Sequence, residues 1–203
     1  MMMSKRPDDQ FASMLKRKRR RASSGAKVNS NIYFNFESNR KVATVLQQKG
    51  ATEIQISDCV LRVVADFKLV EYNLIITQKT IYLFKSSSGN LKHEIPIKSL
   101  ETIVLSHQSD NFILLKVRRE AKMPDFLFVS KRKSQITEIL VRQTHNQKSD
   151  QLLTISDKLT FNHMDNQKYL LVFSRTQFGV ETSIYPAPKV ADKSSVKMSL
   201  KSN

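Results

Sequence analysis

Six consecutive cations near the start of this chain are its strongest candidates for binding chemistry. They are Lys16, Arg17, Lys18, Arg19, Arg20 and Arg21. Each Lys or Arg close to an anionic bilayer is worth about 1 kcal/mol, so the run supplies roughly 6 kcal/mol of attraction. That corresponds to a dissociation constant of roughly tens of micromolar. The run therefore predicts contact with an anionic surface, and it also fits a nuclear localisation signal.

Two neighbouring features bear on that contact. Phe11, Met14 and Leu15 share one face of a short helix predicted over residues 8–21, where they would add an apolar wedge. The alternative for this segment is a disordered basic tail. The sequence RRAS ending at Ser23 has the form of a basophilic kinase site, so Ser23 is a predicted phosphosite. Phosphorylation would place about −1.5 to −2 charges beside the cations and weaken membrane attraction.

No residue pattern in the sequence indicates catalysis or a metal site. The histidines lack metal-ligand spacing, and Cys59 is the single cysteine. No nucleophile elbow, phosphate loop, paired-carboxylate motif or dinucleotide fingerprint occurs. We therefore expect a binding protein that is not an enzyme and that needs no cofactor or metal.

Charge is distributed unevenly along the 203 residues. The net charge of +16 divides into +7 in residues 1–30, +3 in residues 186–203 and +6 between them. This bias favours an anionic partner, which means acidic lipid, nucleic acid or an acidic protein. No apolar run is long enough to cross a bilayer, so membrane contact is expected to be peripheral. Cys59 fits a reducing cytoplasm, and its apolar neighbours predict a buried thiol.

Hydrophobic periodicity predicts the elements that position these charges. A helix is predicted from Ser38 to Gln48, with Gly50 as its stop. Seven short strands follow at steps of roughly ten residues, the spacing of an antiparallel barrel or sandwich. They are predicted at Cys59 to Val64, Tyr72 to Thr77, Thr80 to Lys85, Leu91 to Ile95, Leu100 to Leu105, Phe112 to Val117 and Phe126 to Ser130.

The period then changes to that of a helix. Ile136, Ile139 and Leu140 recur at helical spacing, and Ser130 is the predicted N-cap. This amphipathic helix is expected to plug the open end of the barrel and to cover its edges.

The C-terminal part of the chain reads as a hairpin followed by a polar tail. The strand-like runs are Leu159 to His163 and Tyr169 to Ser174. The predicted divisions are a basic N-terminal extension (1–37), a domain (38–185) and a flexible basic tail (186–203).

Four central segments follow one another in a distinctive order: NLIITQKTIYLF, IPIKSLETIVLS, SDNFILLKV and ITEILV. Together they resemble the tail homology 1 domain of class I myosins. The positions that fit the family pattern are Thr77 with Ile81, Ile95-Pro96-Ile97, Leu100 and Asp110. The flanking segments 39–50 and 153–162 extend the resemblance to about residues 38–175.

The resemblance implies a fold and a function. The implied fold is mainly β (α+β): a pleckstrin-homology-like, seven-stranded antiparallel barrel capped by a C-terminal helix, with an N-terminal helical extension and an extra C-terminal hairpin. The implied function is peripheral, cytoplasmic docking on anionic phospholipid, including phosphoinositide, at the membrane or cytoskeleton. Myosin or actin-cytoskeleton proteins are further expected partners. The chain contains no phosphate loop of a motor.

In this family, basic residues on the first two strands and their connecting loop hold anionic headgroups. The corresponding segment here is RVVADFKLVEY, in which Arg62 and Lys68 supply two members. The third position is Val70, which cannot bind phosphate, and Asp66 and Glu71 add negative charge to the loop. Lys79, at a nearby turn, is expected to assist. The predicted lipid-binding set is therefore Arg62, Lys68 and Lys79 together with Lys16, Arg17, Lys18, Arg19, Arg20 and Arg21.

Two other functions stay open beside membrane binding. One is a basic nuclear or nucleic-acid-associated protein, with residues 16–21 directing nuclear entry. Against it, the domain lacks the aromatic stacking platform interleaved with Arg that single-strand binders use. The other is a protein-interaction adaptor linked to the actin cytoskeleton.

Overall fold

The computed structural model describes residues 33–145, 153–164, 167–177 and 179–187 of the chain. Helix α1 runs over Arg40–Gln48 and helix α2 over Lys133–His145. The basic run 16–21, the phosphosite Ser23 and the helix predicted over 8–21 lie outside the described residues.

Eight strands form one main sheet in the order β4-β3-β2-β1-β7-β6-β5-β8. Neighbours are antiparallel except β5 and β8, which run parallel. The strands are β1 (Ile56–Val63), β2 (Leu69–Ile76), β3 (Thr80–Lys85), β4 (Leu91–Pro96), β5 (Leu100–Leu105), β6 (Phe112–Val117), β7 (Phe126–Val129) and β8 (Leu153–Ile155). The mainly β prediction is confirmed.

The predicted seven-stranded barrel is not confirmed, because the sheet has an eighth strand and its edge strands β4 and β8 do not pair. The chain leaves β4 at Pro96, which has no amide proton to donate, and turns through Ile97–Ser99 into β5. That turn carries the chain between the two halves of the sheet without joining β4 to β5. The sheet therefore curls around its core and stays open.

The inward faces of β1 to β7 enclose the larger hydrophobic core. Alternation along β2 shows the pleat: Leu74 and Ile76 belong to this core, whereas Ile75 packs on the outer side. Helix α2 adds Ile136, Ile139 and Leu140 to the core, as their helical spacing predicts. Ser130 is not the N-cap of α2, since the helix begins at Lys133; it lies in the preceding turn, where its Oγ accepts a hydrogen bond of 2.9 Å from Arg132 N.

Helix α1 covers the outward face of β2 and β3. Val42 and Leu46 pack there in a separate core. Asn39 is the N-cap, with its Oδ1 accepting from Val42 N at 3.3 Å. The predicted stop at Gly50 is confirmed: its φ is +59°, a left-handed conformation that glycine adopts without steric cost.

A second sheet packs on the outside of the main sheet. Its strands are β9 (Lys158–Asn162), β10 (Lys168–Thr176) and β11 (Gly179–Pro186), in the order β11-β10-β9. Leu159, Phe161, Leu171 and Phe173 pack against outward residues of the main sheet such as Val63. The predicted hairpin is present, and β11 extends it by a strand that periodicity does not indicate.

Two residues that fit the family pattern, Thr77 and Asp110, connect neighbouring elements through side-chain hydrogen bonds. Thr77 Oγ1 donates to Thr80 O at 3.0 Å and accepts from Thr80 N at 3.1 Å, which closes the β2–β3 turn. Asp110 Oδ1 accepts from Phe112 N at 2.7 Å and lies 3.3 Å from Lys133 Nζ. The Asp110 carboxylate thus joins the start of β6 to the start of α2.

Asp125 fastens the second sheet to the main sheet. Its Oδ1 accepts from Val117 N at 3.0 Å, and its Oδ2 accepts from Asn162 N at 2.8 Å and from Asn162 Nδ2 at 3.3 Å. Asp125 N also donates to Asn162 O at 3.0 Å. The side chain is buried, and this burial raises the pKa of the carboxyl group.

Replacement of Asp125 by alanine is expected to lower the free energy of unfolding by about 2–3 kcal/mol, because three buried or half-buried donors lose their acceptor. Urea denaturation at neutral pH measures the change. Glu120→Ala, at an exposed acid of the same loop, is the control and should change stability by less than about 0.5 kcal/mol. Equal stability of the two variants would contradict the role given to Asp125.

Candidate functional site

Three loops meet at one end of the main sheet, and we term them the rim: β1–β2 (64–68), β3–β4 (86–90) and β6–β7 (118–125). Antiparallel pairing places alternate turns at the same end, and β1 meets β7 there through Arg62 and Phe128. Ser86 N donates to Glu71 O at 3.3 Å, which brings the β3–β4 loop against the start of β2. The rim and the adjoining strand ends carry the exposed cations Lys68, Lys85, Lys92, Arg118, Arg119 and Lys122.

Arg62 lies beneath the rim rather than on it. The residue is only 1% exposed. Its Cζ lies 4.5 Å from the ring centroid of Phe126 and 5.8 Å from that of Tyr72. Nη1 contacts Nε2 of His93, while Nε and Nη2 have no hydrogen-bond partner among the described residues. Burial lowers the pKa of the guanidinium. In this conformation, Arg62 does not reach a surface where a headgroup would bind.

His93 is the hydrogen-bond partner of the Arg62 guanidinium. Its ring contacts Phe126 edge to face, with 5.1 Å between centroids. Burial first, and then the positive charges of Arg62 and Lys92, lower the pKa of His93 to about 4. The imidazole is therefore neutral at neutral pH, and its Nε2 can accept a hydrogen bond from the guanidinium.

Lys68 and Lys79 lie at opposite ends of β2. Lys68 is exposed in the β1–β2 loop, with its Nζ 3.2 Å from Asp66 Oδ2. Lys79 is exposed in the β2–β3 turn, where its carbonyl accepts from Ile97 N at 2.8 Å. Because the whole of β2 separates them, the structure does not bring the predicted cations Arg62, Lys68 and Lys79 to one site.

The predicted burial of Cys59 is wrong. The residue is exposed on the outward side of β1, with its Sγ 3.4 Å from Asn73 Oδ1. Partial burial of the sulfur, followed by Glu71 and Asp58, raises the pKa of the thiol to about 11. The thiolate is the reactive form, so this cysteine is a weak nucleophile at neutral pH.

Within the described part of the chain, no group of His, Cys, Asp or Glu has metal-binding geometry. Neither α1 nor α2 is long and apolar enough to cross a membrane. The described residues form a cationic loop surface on two packed sheets, and the curled main sheet with its capping helix α2 has a pleckstrin-homology-like layout.

A family comparison identifies this architecture more closely. The family model described as unconventional myosin tail, actin- and lipid-binding, matches residues 19–198. The chain therefore belongs to the myosin tail homology 1 family. No curated protein matched the sequence.

Solved structures give distant matches. The N-terminal pleckstrin-homology domain of human ARAP2 is 14% identical with a TM-score of 0.40, over 49% of this chain and 87% of that one. The C-terminal domain of an unknown protein from Leishmania infantum is 15% identical with a TM-score of 0.43, over 54% and 97%. The hSac2 domain from human phosphoinositide phosphatase Sac2 is 11% identical with a TM-score of 0.39, over 58% and 89%.

The lowered pKa of His93 makes stability depend on pH. The unfolded chain binds a proton at this group near the ordinary histidine pKa of 6.5, whereas the folded protein resists protonation until about pH 4. The free energy of unfolding therefore keeps its full value above pH 6.5 and decreases as the pH falls below it. At pH 5 the expected loss is about 1–2 kcal/mol, which allows for the partial exposure of His93. His93→Gln keeps an acceptor for Arg62 and should flatten this fall, as measured by urea midpoints at pH 7.5 and 5.

His107→Gln provides the control, since His107 is an exposed histidine away from Arg62. This variant should keep the fall in stability seen in the unmodified protein. An unchanged fall in His93→Gln would show that His93 is not its source.

Proposed function

We propose that this chain is a binding module rather than an enzyme, and that it docks peripherally on anionic phospholipid through the rim and the run 16–21. The observation that carries the proposal is the set of exposed rim cations in a chain whose family is described as actin- and lipid-binding. Actin-cytoskeleton proteins are a second partner class, favoured by the same description. We further propose a cytoplasmic location at the membrane or cytoskeleton.

We propose that the overall positive charge of the rim drives docking, and not a pocket that fits one particular lipid headgroup. A specific phosphate pocket needs several cations converging on one ligand. Here the guanidinium of Arg62 is enclosed by rings, Lys68 pairs with Asp66, and Val70 occupies the third basic position of the family pattern. The remaining rim cations divide between the β6–β7 loop (Arg118, Arg119 and Lys122) and the strand ends beside the β3–β4 loop (Lys85 and Lys92), and the acids Glu101 and Glu120 line the same depression as Arg118 and Arg119. Such a surface responds to the charge density of a bilayer and is screened by salt.

The run 16–21 is able to reach the same bilayer as the rim. Tyr33 N donates to Ser57 O at 2.9 Å, so the described chain begins beside the start of β1, at the end opposite to the rim. The eight residues of β1 span about 26 Å at about 3.3 Å each. Residues 22–32 span at most about 36–40 Å. The covalent connection is therefore long enough for both cationic elements to meet one surface.

Charge reversal on two rim loops tests the proposal. Lys68→Glu combined with Lys122→Glu should weaken binding to phosphatidylserine vesicles about thirtyfold or more, because two cations worth about 1 kcal/mol each are lost. Cosedimentation at low salt gives the affinity. The matched control is Lys158→Glu with Arg175→Glu, which makes the same charge change at the far end of the second sheet and should cost less than about threefold.

Several outcomes would contradict the proposal. If the unmodified chain fails to bind acidic vesicles at low salt, membrane docking is excluded. A strong preference for one inositide at matched total charge would contradict the charge-driven mechanism. Equal competition by nucleic acid would reduce the attraction to general electrostatics and would leave the nuclear alternative open.

Phosphorylation is expected to weaken the contribution of residues 16–21. Ser23→Asp adds one negative charge beside the cations, so vesicle affinity should fall about fivefold, since about 1 kcal/mol is lost. Cosedimentation of the full chain measures this, with Ser23→Asn as the uncharged control. Equal affinity of the two variants would contradict the hypothesis.

A further inference from the structure

Two large apolar side chains protrude together beside the rim. Phe67, in the β1–β2 loop, is 39% exposed, and Met164, in the β9–β10 turn, is 45% exposed. They belong to loops of different sheets, and both neighbour His163: the ring of Phe67 contacts it, and Met164 follows it in the chain. The ring of Phe67 stacks on that of His163, with 5.2 Å between centroids and 23° between planes.

Aromatic side chains of the second sheet pack against one side of Phe67. Its ring also meets Tyr169 edge to face at 4.9 Å. His163 is only 5% exposed, and its Nε2 has no hydrogen-bond partner among the described residues. His163 is wedged edge to face against Phe161 and Tyr169. Phe67 therefore rests on a packed aromatic layer and keeps the rest of its surface in water.

The backbone of the loop holds this arrangement at a conformational cost. Asp66 and Phe67 have φ values of 55° and 54°, a left-handed conformation that is uncommon for residues other than glycine. The loop is closed by Val64 N, which donates to Lys68 O at 2.9 Å, and by Lys68 N, which donates to Ala65 O at 3.3 Å. Strained backbone of this kind clusters at functional sites.

Cations surround the two apolar residues. Lys68 follows Phe67 directly, and Lys168 begins β10 opposite Asn162. The β6–β7 loop, which carries the exposed Lys122, is bound to the end of β9 by the hydrogen bonds between Asp125 and Asn162. Two described acids lie on the same loops: Asp66 pairs with Lys68, and Glu120 shares the loop of Lys122. An apolar tip flanked by lysines is complementary to an anionic bilayer, where acyl chains lie below phosphate groups.

We propose that Phe67 and Met164 form an apolar tip that enters the headgroup and acyl boundary of an anionic bilayer, with Lys68, Lys122 and Lys168 at the phosphate level. The inference rests on the proposed membrane function and adds that the second sheet supplies half of the inserting surface. A bilayer is favoured over a protein partner because two side chains are far smaller than the roughly 800 Å² that each partner buries in a stable interface.

Vesicle partition of the full chain is the first measurement. Phe67→Ser and Met164→Ser should each weaken binding to vesicles of phosphatidylserine and phosphatidylcholine about five- to tenfold, since each removes several tens of Å² of apolar surface from the bilayer. The loss should persist at high salt, unlike the loss from rim charge reversal. Ile155→Ser removes a comparably exposed apolar residue on β8, far from the rim, and should leave partition unchanged.

A conservative variant of Phe67 serves as the control for loss of folding. Phe67→Ser removes a ring that stacks on His163, so its thermal midpoint is measured alongside partition. Phe67→Leu keeps an apolar side chain and should retain most of the affinity. If Phe67→Leu and Phe67→Ser lose affinity equally, the effect is not insertion and the proposal fails.

The second experiment measures how deeply position 164 enters the bilayer. An environment-sensitive dye attached at M164C in a Cys59→Ser background should shift to the blue on vesicle binding and be quenched by lipid-borne quenchers, whereas the same dye at I155C should not. If the unmodified chain binds vesicles but the dye at position 164 does not shift, the proposed insertion of the tip is overturned and the membrane function is not. The same holds if the dye at position 155 shifts equally. Absence of any vesicle binding by the unmodified chain overturns the membrane function itself and the tip with it.

Discussion

The packing of β1 between two cores is the constraint on which the rest of the structure depends: its inward face is buried along the strand, and its outward face is buried at Val63. Val60 faces the core enclosed by the main sheet, whereas Val63 faces the core beneath the second sheet. β1 also pairs along its whole length with β2 and, near its end, with β7. The buried inward face fixes the register of β1, because a shift of one residue would turn that face outward. The β1–β2 loop, the first part of the rim, is therefore attached to the most constrained strand of the domain.

The same constraint determines what lies beneath the rim. Residue 62 shares the face of Val60, so its guanidinium must enter the interior of the main sheet. A buried cation is costly unless it is compensated. The faces of Phe126 and Tyr72 compensate it in part, at about 0.5–2 kcal/mol for each such contact. His93 adds an acceptor only while it is neutral. The interior below the loops is thus filled by an arginine and aromatic rings, so charged contacts to a partner must come from the loops themselves.

The fold was largely predictable from sequence because most strands of the main sheet are short apolar runs, such as TIYLFK and FILLKV, separated by polar turns. Thr80–Lys85, Leu100–Leu105 and Phe112–Val117 are found with the predicted bounds. The strand β8 was not predicted, since its three residues are all exposed and its partner β5 is distant in the chain. β11 was missed because its residues are half-buried or exposed, which weakens alternation.

The candidate site was less predictable than the fold, for a different reason. Alternation from Val60 already indicated an inward direction for Arg62, but the family pattern assigned it to a ligand. The proximity of Phe67 and Met164 has no local signal at all, because it arises where turns of two separate sheets meet. Lys79 was grouped with Lys68 by closeness in sequence, whereas an eight-residue strand places them at opposite ends of the sheet.

Fold and ligand recognition are therefore separable in this chain. The positions at which it follows the family pattern are ones that build the scaffold: Thr77 closes a turn, Ile97 is buried at the corner between β4 and β5, and Asp110 joins β6 to α2. The position at which it departs, Val70, is one that the family pattern assigns to a headgroup contact, and here its side chain packs against the main core. Since the scaffold contacts do not involve the ligand positions, the sequence can keep the former and lose the latter. Membership of the family thus accounts for the shape of the domain, while the cations available to the proposed anionic partner are those that this sequence places on its rim.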